Sequence, residues 1–232
     1  MEIPLITESS CNGYTIRAIV ADPQWKENCY LVTCEATGAQ ALIDPGDNAP
    51  LLASLVEECG SRRLEYLLLT HGHFDHIGAA VALCKQFAVE CMIHEADHRL
   101  LRQASMYAIR YSNRLVAAPR SCVTLSGERH LPFGTGSITV LHTPGHTAGS
   151  VCYVCDGFVF TGDTLLVNYA GRTDQPGGDE STIVASIGKL LETLPEETVI
   201  FPGHGKTWTV AAARSWWREH GAEPPKHDSF IH

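Results

Sequence analysis

The sequence has 232 residues and a formal net charge of -9, from 17 Lys and Arg against 26 Asp and Glu. Apolar residues make up 44% and charged residues 19%, which excludes a disordered chain and allows a sizeable core. The acidity disfavours general nucleic-acid binding, and no apolar run approaches the ~20 residues of a membrane span.

The first ten residues contain Glu2 and Glu8 and no basic start, so no signal peptide is visible. The nine cysteines then read as reduced thiols of a cytoplasmic protein. Residues 16–20, 29–33 and 40–43 pattern as strands, the last closed by the turn Asp44-Pro45-Gly46, and 51–59 as a helix. The apolar run 64–70 suggests a strand buried on both faces. A helix over 76–87 and a strand over 89–94 follow. Residues 95–117 pattern as a longer helix. The segment from Glu95 to Arg120 carries Arg99, Arg102, Arg110, Arg114 and Arg120 against Glu95 and Asp97. At about 100° per residue, Leu100, Leu101, Ala104, Tyr107, Ala108, Tyr111 and Leu115 share one face. Arg99, Arg110 and Arg114 share another, with Arg102 at its edge. Such a face is either solvated or a device for attracting an anionic substrate. Strands follow over 137–142, 151–153 and 158–161, then a helix over 183–193 and a last strand over 199–201. The tail from Pro224 reads as a loosely held end. Met106, Trp216 and Trp217 read as packing residues, and Cys152 and Cys155 as structural thiols on opposite faces of a strand. His94 and His142 read as structural or as supports of a site, and His98, His130, His220, His227 and His232 as exposed. The mixture of elements indicates an α/β or α+β chain with layered sheets, and no linker divides it, so residues 1–232 read as a single domain.

One hexapeptide stands out, His71-Gly72-His73-Phe74-Asp75-His76, directly after the buried strand. Three imidazoles and a carboxylate in six residues suit zinc, with iron or manganese as alternatives. Gly72 lets the backbone bend between two ligands, and Asp75 and His76 are expected at a helix start. Three later positions have the same character, each on a tight turn at a strand end. They are His146 in Thr-Pro-Gly-His-Thr, Asp163 in Thr-Gly-Asp-Thr and His204 in Phe-Pro-Gly-His-Gly.

In this order, these motifs resemble the metallo-β-lactamase superfamily. The resemblance runs from about Asn28 to Thr207. It implies a four-layer αβ/βα sandwich of two mixed β-sheets, with the metals at one edge. It places His71, His73 and His146 on one metal and Asp75, His76 and His204 on the other, with Asp163 bridging. The chain is similar in particular to glyoxalase II, the hydroxyacylglutathione hydrolases, through Asp44-Pro45-Gly46, Gly162-Asp163-Thr164-Leu165, Gly171-Arg172-Thr173-Asp174 and Phe201-Pro202-Gly203-His204-Gly205. With 28 residues after His204, the C-terminal helical domain of glyoxalase II is not expected here. The similarity is therefore to the short branch, which includes some polyketide-pathway zinc hydrolases.

The expected activity is hydrolysis of a thioester of glutathione, coenzyme A or an acyl carrier protein. Two zinc ions would hold a bridging hydroxide as nucleophile, and Asp75 would orient it and take its proton. A thiol leaves as thiolate without a strong acid. Tyr169 is placed to assist a poorer leaving group, and Arg172 and Asp174 to grip an anionic or peptide-like thiol. Three rival readings remain open: a mononuclear iron persulfide dioxygenase that shares Gly171-Arg172-Thr173-Asp174, a lactone hydrolase of the same fold, and a metal-binding module without catalysis.

Overall fold

A computed structural model describes residues 5–21, 24–58, 63–221 and 223–226. The first half builds a seven-stranded sheet whose strands lie side by side in chain order. They are β1 (Leu5–Cys11), β2 (Tyr14–Val20), β3 (Asn28–Cys34), β4 (Gln40–Ile43), β5 (Leu64–Leu68), β6 (Cys91–His94) and β7 (Val123–Leu125). Pairing is antiparallel from β1 to β4 and parallel from β4 to β7. Parallel neighbours require crossovers, and three helices supply them: α1 (Ala49–Glu58), α2 (Ala80–Phe87) and α3 (His98–Ser112).

The second half builds a six-stranded sheet. Strands β8 (Arg129–Phe133), β9 (Gly136–His142), β10 (Val151–Cys155) and β11 (Phe158–Gly162) form an antiparallel meander. The ribbon β12 (Leu165–Leu166) and β13 (Tyr169–Ala170) stands apart from it. Helix α4 (Glu180–Thr193) leads back to β14 (Val199–Pro202), parallel to β11, and β15 (Trp208–Thr209) completes the edge before α5 (Val210–His220).

Alternation along the strands fixes the layers. In β3, Cys29 and Leu31 face the core shared with Leu52 of α1, Leu83 of α2 and Leu101 and Ala104 of α3. Tyr30 and Val32 face the other way, toward Val140, Tyr153, Phe158 and Phe201 of the second sheet. In β11, Val159 turns outward to Ile183 and Ile187 of α4 and Ala213 and Trp216 of α5. The result is helices, sheet, sheet, helices. The middle layer is aromatic, with the Tyr30 ring 5.0 Å from Phe160 and 5.5 Å from Phe201. Each fully buried side chain of this size contributes about 2–3 kcal/mol.

The run 64–70 is the middle of the first sheet, with Leu67 and Leu69 in one core and Leu68 in the other. The structure corrects several expectations. The segment after it does not start a helix at His76. Phe74–His76 form one short 3-10 turn, and α2 begins at Ala80, so Asp75 and His76 do not cap it. Gly72 is not at a positive φ. Its need for glycine is space, because a Cβ there would press on the backbone of Leu101, 3.1 Å away. Helix α3 stops at Ser112, so Leu115 lies beyond it and is 88% exposed. Met106 is exposed rather than packed. Pro225 accepts a hydrogen bond from the Ala170 amide, and Lys226 pairs with Glu180, so this part of the tail is held. Strands β1, β7, β8, β12, β13 and β15 and helix α5 escaped the sequence reading, whereas the strand expected over 199–201 is β14. Strand β1 is exposed at six of seven positions, so it carries no alternation of burial to betray it. Of the peripheral histidines, His130 and His220 are exposed and His98 is half-buried, while His227 and His232 lie outside the described residues.

Candidate metal centre

The strand ends of both sheets meet at one edge of the sandwich. The loop after β5 brings His71, His73, Asp75 and His76, and the loops after β9, β11 and β14 bring His146, Asp163 and His204. All seven are buried. Two groups form. The ligand atoms of His71, His73 and His146 lie within 4.8 Å of one another, and so do those of Asp75, His76 and His204. Asp163 stands between them, its Oδ2 3.6 Å from both His146 Nε2 and His204 Nε2.

The outward bonds decide which ring nitrogen faces the centre. Thr70 donates its hydroxyl to Asp44, so its oxygen accepts from His71 Nδ1. His76 Nδ1 donates to the Asp44 carboxylate at 3.0 Å, His146 Nδ1 to the Arg172 carbonyl at 2.8 Å and His204 Nδ1 to the Trp25 carbonyl at 3.1 Å. In its neutral form each of these four rings therefore presents Nε2 inward as a lone pair, the form that binds a metal. Asp44 sits at φ 48, a conformation that its short polar side chain tolerates. It is fixed by the Thr70 amide and hydroxyl.

The donor set fits a cation. His73 Nδ1 lies 3.0 Å from both His71 Nε2 and His146 Nε2. One nitrogen carries at most one proton, so at least one of these contacts sets two lone pairs against each other. A cation among the three turns that repulsion into attraction. Asp75 Oδ1, His76 Nε2 and Asp163 Oδ1 are buried with no hydrogen-bond partner among the described residues. Such orphaned groups cost ~1–3 kcal/mol each unless something binds them. The carboxylate–imidazole spacings of 3.5–3.7 Å are long for hydrogen bonds. They suit two ligands each ~2.0–2.2 Å from a shared ion.

The electrostatics are divided. Burial, with neighbouring imidazoles adding to it, holds His71 well below the usual range and His73 at about 3, so both are neutral. Burial also lowers His146. At His76 and His204, burial is outweighed by Asp163 and Asp75, and both are held above the usual value. Burial would raise Asp75 and Asp163, but the surrounding imidazoles outweigh it and keep both carboxylates ionised.

Glycines allow the close approach. A Cβ on Gly203 would strike the Asp163 carboxylate and the His76 ring, and one on Gly171 would strike the Asp163 carbonyl.

Three acidic residues matter here that the sequence reading did not assign to the site. Asp44 appeared only as a turn. Asp97, read as a helix charge, is buried and joins the two halves. It accepts from the Gly72 amide at 2.8 Å, the Thr147 hydroxyl at 2.8 Å and the Gly149 amide at 2.7 Å. Glu27 is fully buried against Gly46 with both oxygens unpartnered among the described residues, and burial holds it well above the usual carboxylate range. Its backbone bridges to His204.

The expected substrate residues lie on the rim. Tyr169 is 42% exposed on β13. Arg172 pairs side-on with Asp174 through two bonds of 2.7 and 2.6 Å, while its carbonyl holds His146. The arginines of the basic helix part company. Arg114 pairs with Asp47 across a cavity of about 50 Å³ that reaches Asp75, and Arg110 lies over the Tyr111 ring at 5.5 Å. Arg99 lines a groove of about 380 Å³ with Gln103, Tyr107, Ala148 and Gly177. His94 and His142 stack at 4.0 Å, with His94 buried and His142 exposed.

Residues 23–204 match the family model described as "Metallo-beta-lactamase superfamily". The hydroxyacylglutathione hydrolase GloC of Haemophilus influenzae is 36% identical over 197 residues, covering 83% of this chain and 92% of that protein. The crystal structure of BLEG-1 B3 metallo-β-lactamase superposes with a TM-score of 0.79 at 32% identity, over 86% of this chain and 96% of that one. That of TTHA1623 in a di-iron-bound form gives 0.76 at 35%, over 85% and 96%. With its paired sheets, its edge cluster of histidines and aspartates and these relatives, the chain belongs to the metallo-β-lactamase superfamily, and its candidate clusters mark it as a divalent-metal protein of the hydrolase type.

Proposed function

We propose that the protein is a dinuclear metal hydrolase, zinc-loaded and cytoplasmic, that cleaves a small-molecule thioester. The observation that carries this reading is the position of Asp163, one carboxylate facing both histidine groups at 3.6 Å. The relative named as a hydroxyacylglutathione hydrolase supports the substrate class, and the di-iron form of another relative supports a pair of ions.

His71, His73 and His146 would hold one ion, Asp75, His76 and His204 the other, with Asp163 shared. Divalent ions at such a site supply Lewis acidity and lower the pKa of bound water toward ~7. Asp75 stays ionised; its Oδ2 faces His76 and His204, and its Oδ1, buried without a hydrogen-bond partner among the described residues, is left to act as the proton acceptor and orienting group. Burial of the seven side chains excludes bulk water and strengthens each charge interaction. A thiol leaving group of pKa ~8.5 departs without an acid, so half-exposed Tyr169 is dispensable for thioesters and useful only for alkoxide leaving groups. The groove beside Arg99 is open to an anionic carrier: glutathione, coenzyme A or an acyl carrier protein.

The test is metal analysis with a panel of acyl-glutathione, acyl-coenzyme A and acyl-carrier thioesters, a lactone and a β-lactam, with oxygen uptake recorded on a persulfide. Two ions per chain and preferential thioester cleavage support the proposal. Oxygen uptake with a single iron establishes the dioxygenase reading instead.

A further inference from the structure

Away from the metal centre, three cysteines meet where α2 packs against the starts of β6 and β7. Cys91 opens β6 and is buried. Cys122 directly precedes β7 and is half-buried, with its Sγ 2.6 Å from that of Cys91. Cys84 of α2, also half-buried, packs against the same core cluster as Cys91 and Cys122. The other thiols with a described sulfur contact meet hydroxyls or carbonyls instead.

The backbone suits a bond. Strands β6 and β7 are parallel, with Met92 opposite Val123, and Cys91 and Cys122 are the residues immediately before that pair. Neighbouring strands stand ~4.7–4.9 Å apart, within the ~4.4–6.8 Å Cα separation that a disulfide requires. The sulfurs need close only from 2.6 Å to the bonded ~2.05 Å, so no strand has to move.

We propose that Cys91 and Cys122 are a modification site, oxidised by a hydroperoxide to a disulfide that staples the two ends of the α3 crossover.

The chemistry assigns the order. The sulfur contact with Cys91 lowers the Cys122 thiol below its ordinary value, while the neighbouring sulfurs and burial raise that of Cys91. Cys122 is also the more accessible of the two. Its thiolate attacks one peroxide oxygen, the O–O bond breaks, and the departing oxygen takes a proton to leave as water or alcohol. Cys122 becomes a sulfenic acid. The Cys91 sulfur then attacks Cys122 Sγ, the S–O bond breaks, and hydroxide leaves with the Cys91 proton as water. Two thiols lose two electrons and the peroxide gains them. The ring so closed contains Asp97 and all of α3. Cross-linking that crossover removes freedom from the unfolded chain.

The experiment is peptide mapping of the folded protein after hydrogen peroxide, without reductant. Trypsin places the three cysteines in separate peptides: residues 64–85, 86–99 and 121–129. The expected product is peptide 86–99 linked to 121–129, two hydrogens lighter than their sum. Its melting temperature should lie about 5 °C above that of the reduced protein. Cys122→Ser, at the half-buried position, keeps the fold and should show neither the link nor the shift. Cys84→Ser should keep both. Sulfinic acid at Cys122 with no link, or 64–85 joined to 86–99 as the main product, overturns the proposal.

Discussion

The two sheets contribute to the metal centre in opposite ways. The first delivers four side chains from one six-residue segment, rigidly backed by Asp44 and Thr70, which hold His71 and His76 from behind. The second delivers one residue from each of three loops, and their supports are main-chain carbonyls, Arg172 for His146 and Trp25 for His204. A compact run is thus preformed by local sequence, whereas the other three positions exist only once β9, β11 and β14 are paired. Each histidine group nonetheless draws on both halves, so neither half holds an ion well alone.

The largest expected effect comes from the residue facing both groups. Asp163→Ala should reduce bound metal from about two ions per chain to one or fewer, and turnover by at least ~10³-fold, read by elemental analysis and steady-state kinetics. Asp75→Asn keeps an oxygen but loses the charge, and should lower turnover at least ~10²-fold in metal-loaded protein with an unchanged circular dichroism spectrum. Normal turnover there would remove Asp75 from the chemistry. Asp44→Asn weakens the backing of the compact run. Zinc affinity should fall ~10–100-fold, measured by competition with a chromophoric chelator, while His146→Ala should act on the other half and empty the first group alone.

The next effect tests the strap between the halves. Asp97→Ala leaves the Gly72 and Gly149 amides without their acceptor, and it should cost about 2–4 kcal/mol in urea unfolding. Burial raises the Asp97 carboxyl above its ordinary value, so the folded protein binds its proton at higher pH than the unfolded chain. That group therefore destabilises more as pH rises through its range, and Asp97→Asn should flatten this part of the stability profile.

How far the sequence was legible follows the same division. Residues 71–76 announce themselves because the ligands are adjacent, and residues 40–43 because a turn closes a short apolar strand. His146, Asp163 and His204 stand out only through their shared turn chemistry and the family resemblance. Asp97 and Glu27 were not legible. An acidic residue before a helix is ordinarily a solvated cap, and nothing local shows that Gly72 and Gly149 fold over Asp97. The basic face of the helix expected over 95–117 reads as one surface, but helix direction alone cannot show that Arg114 lies beyond the end of α3, where Asp47 claims it, while Arg99 borders a groove.

The smallest effect concerns that groove. Arg99→Glu should lower kcat/KM for an anionic thioester by about threefold to tenfold at low salt, with kcat preserved, and the difference should fade as salt shortens the screening length to ~8 Å. A neutral thioester should not respond. Equal responses would make the face only a solvated one.

The most direct test of the joint site is calorimetric titration of chelator-stripped, folded protein with zinc, read alongside thioester hydrolysis at each addition. The account expects binding to saturate at two ions per chain, with activity rising to its maximum as the second binds. Saturation at a single ion, with full activity and no further uptake, would contradict it.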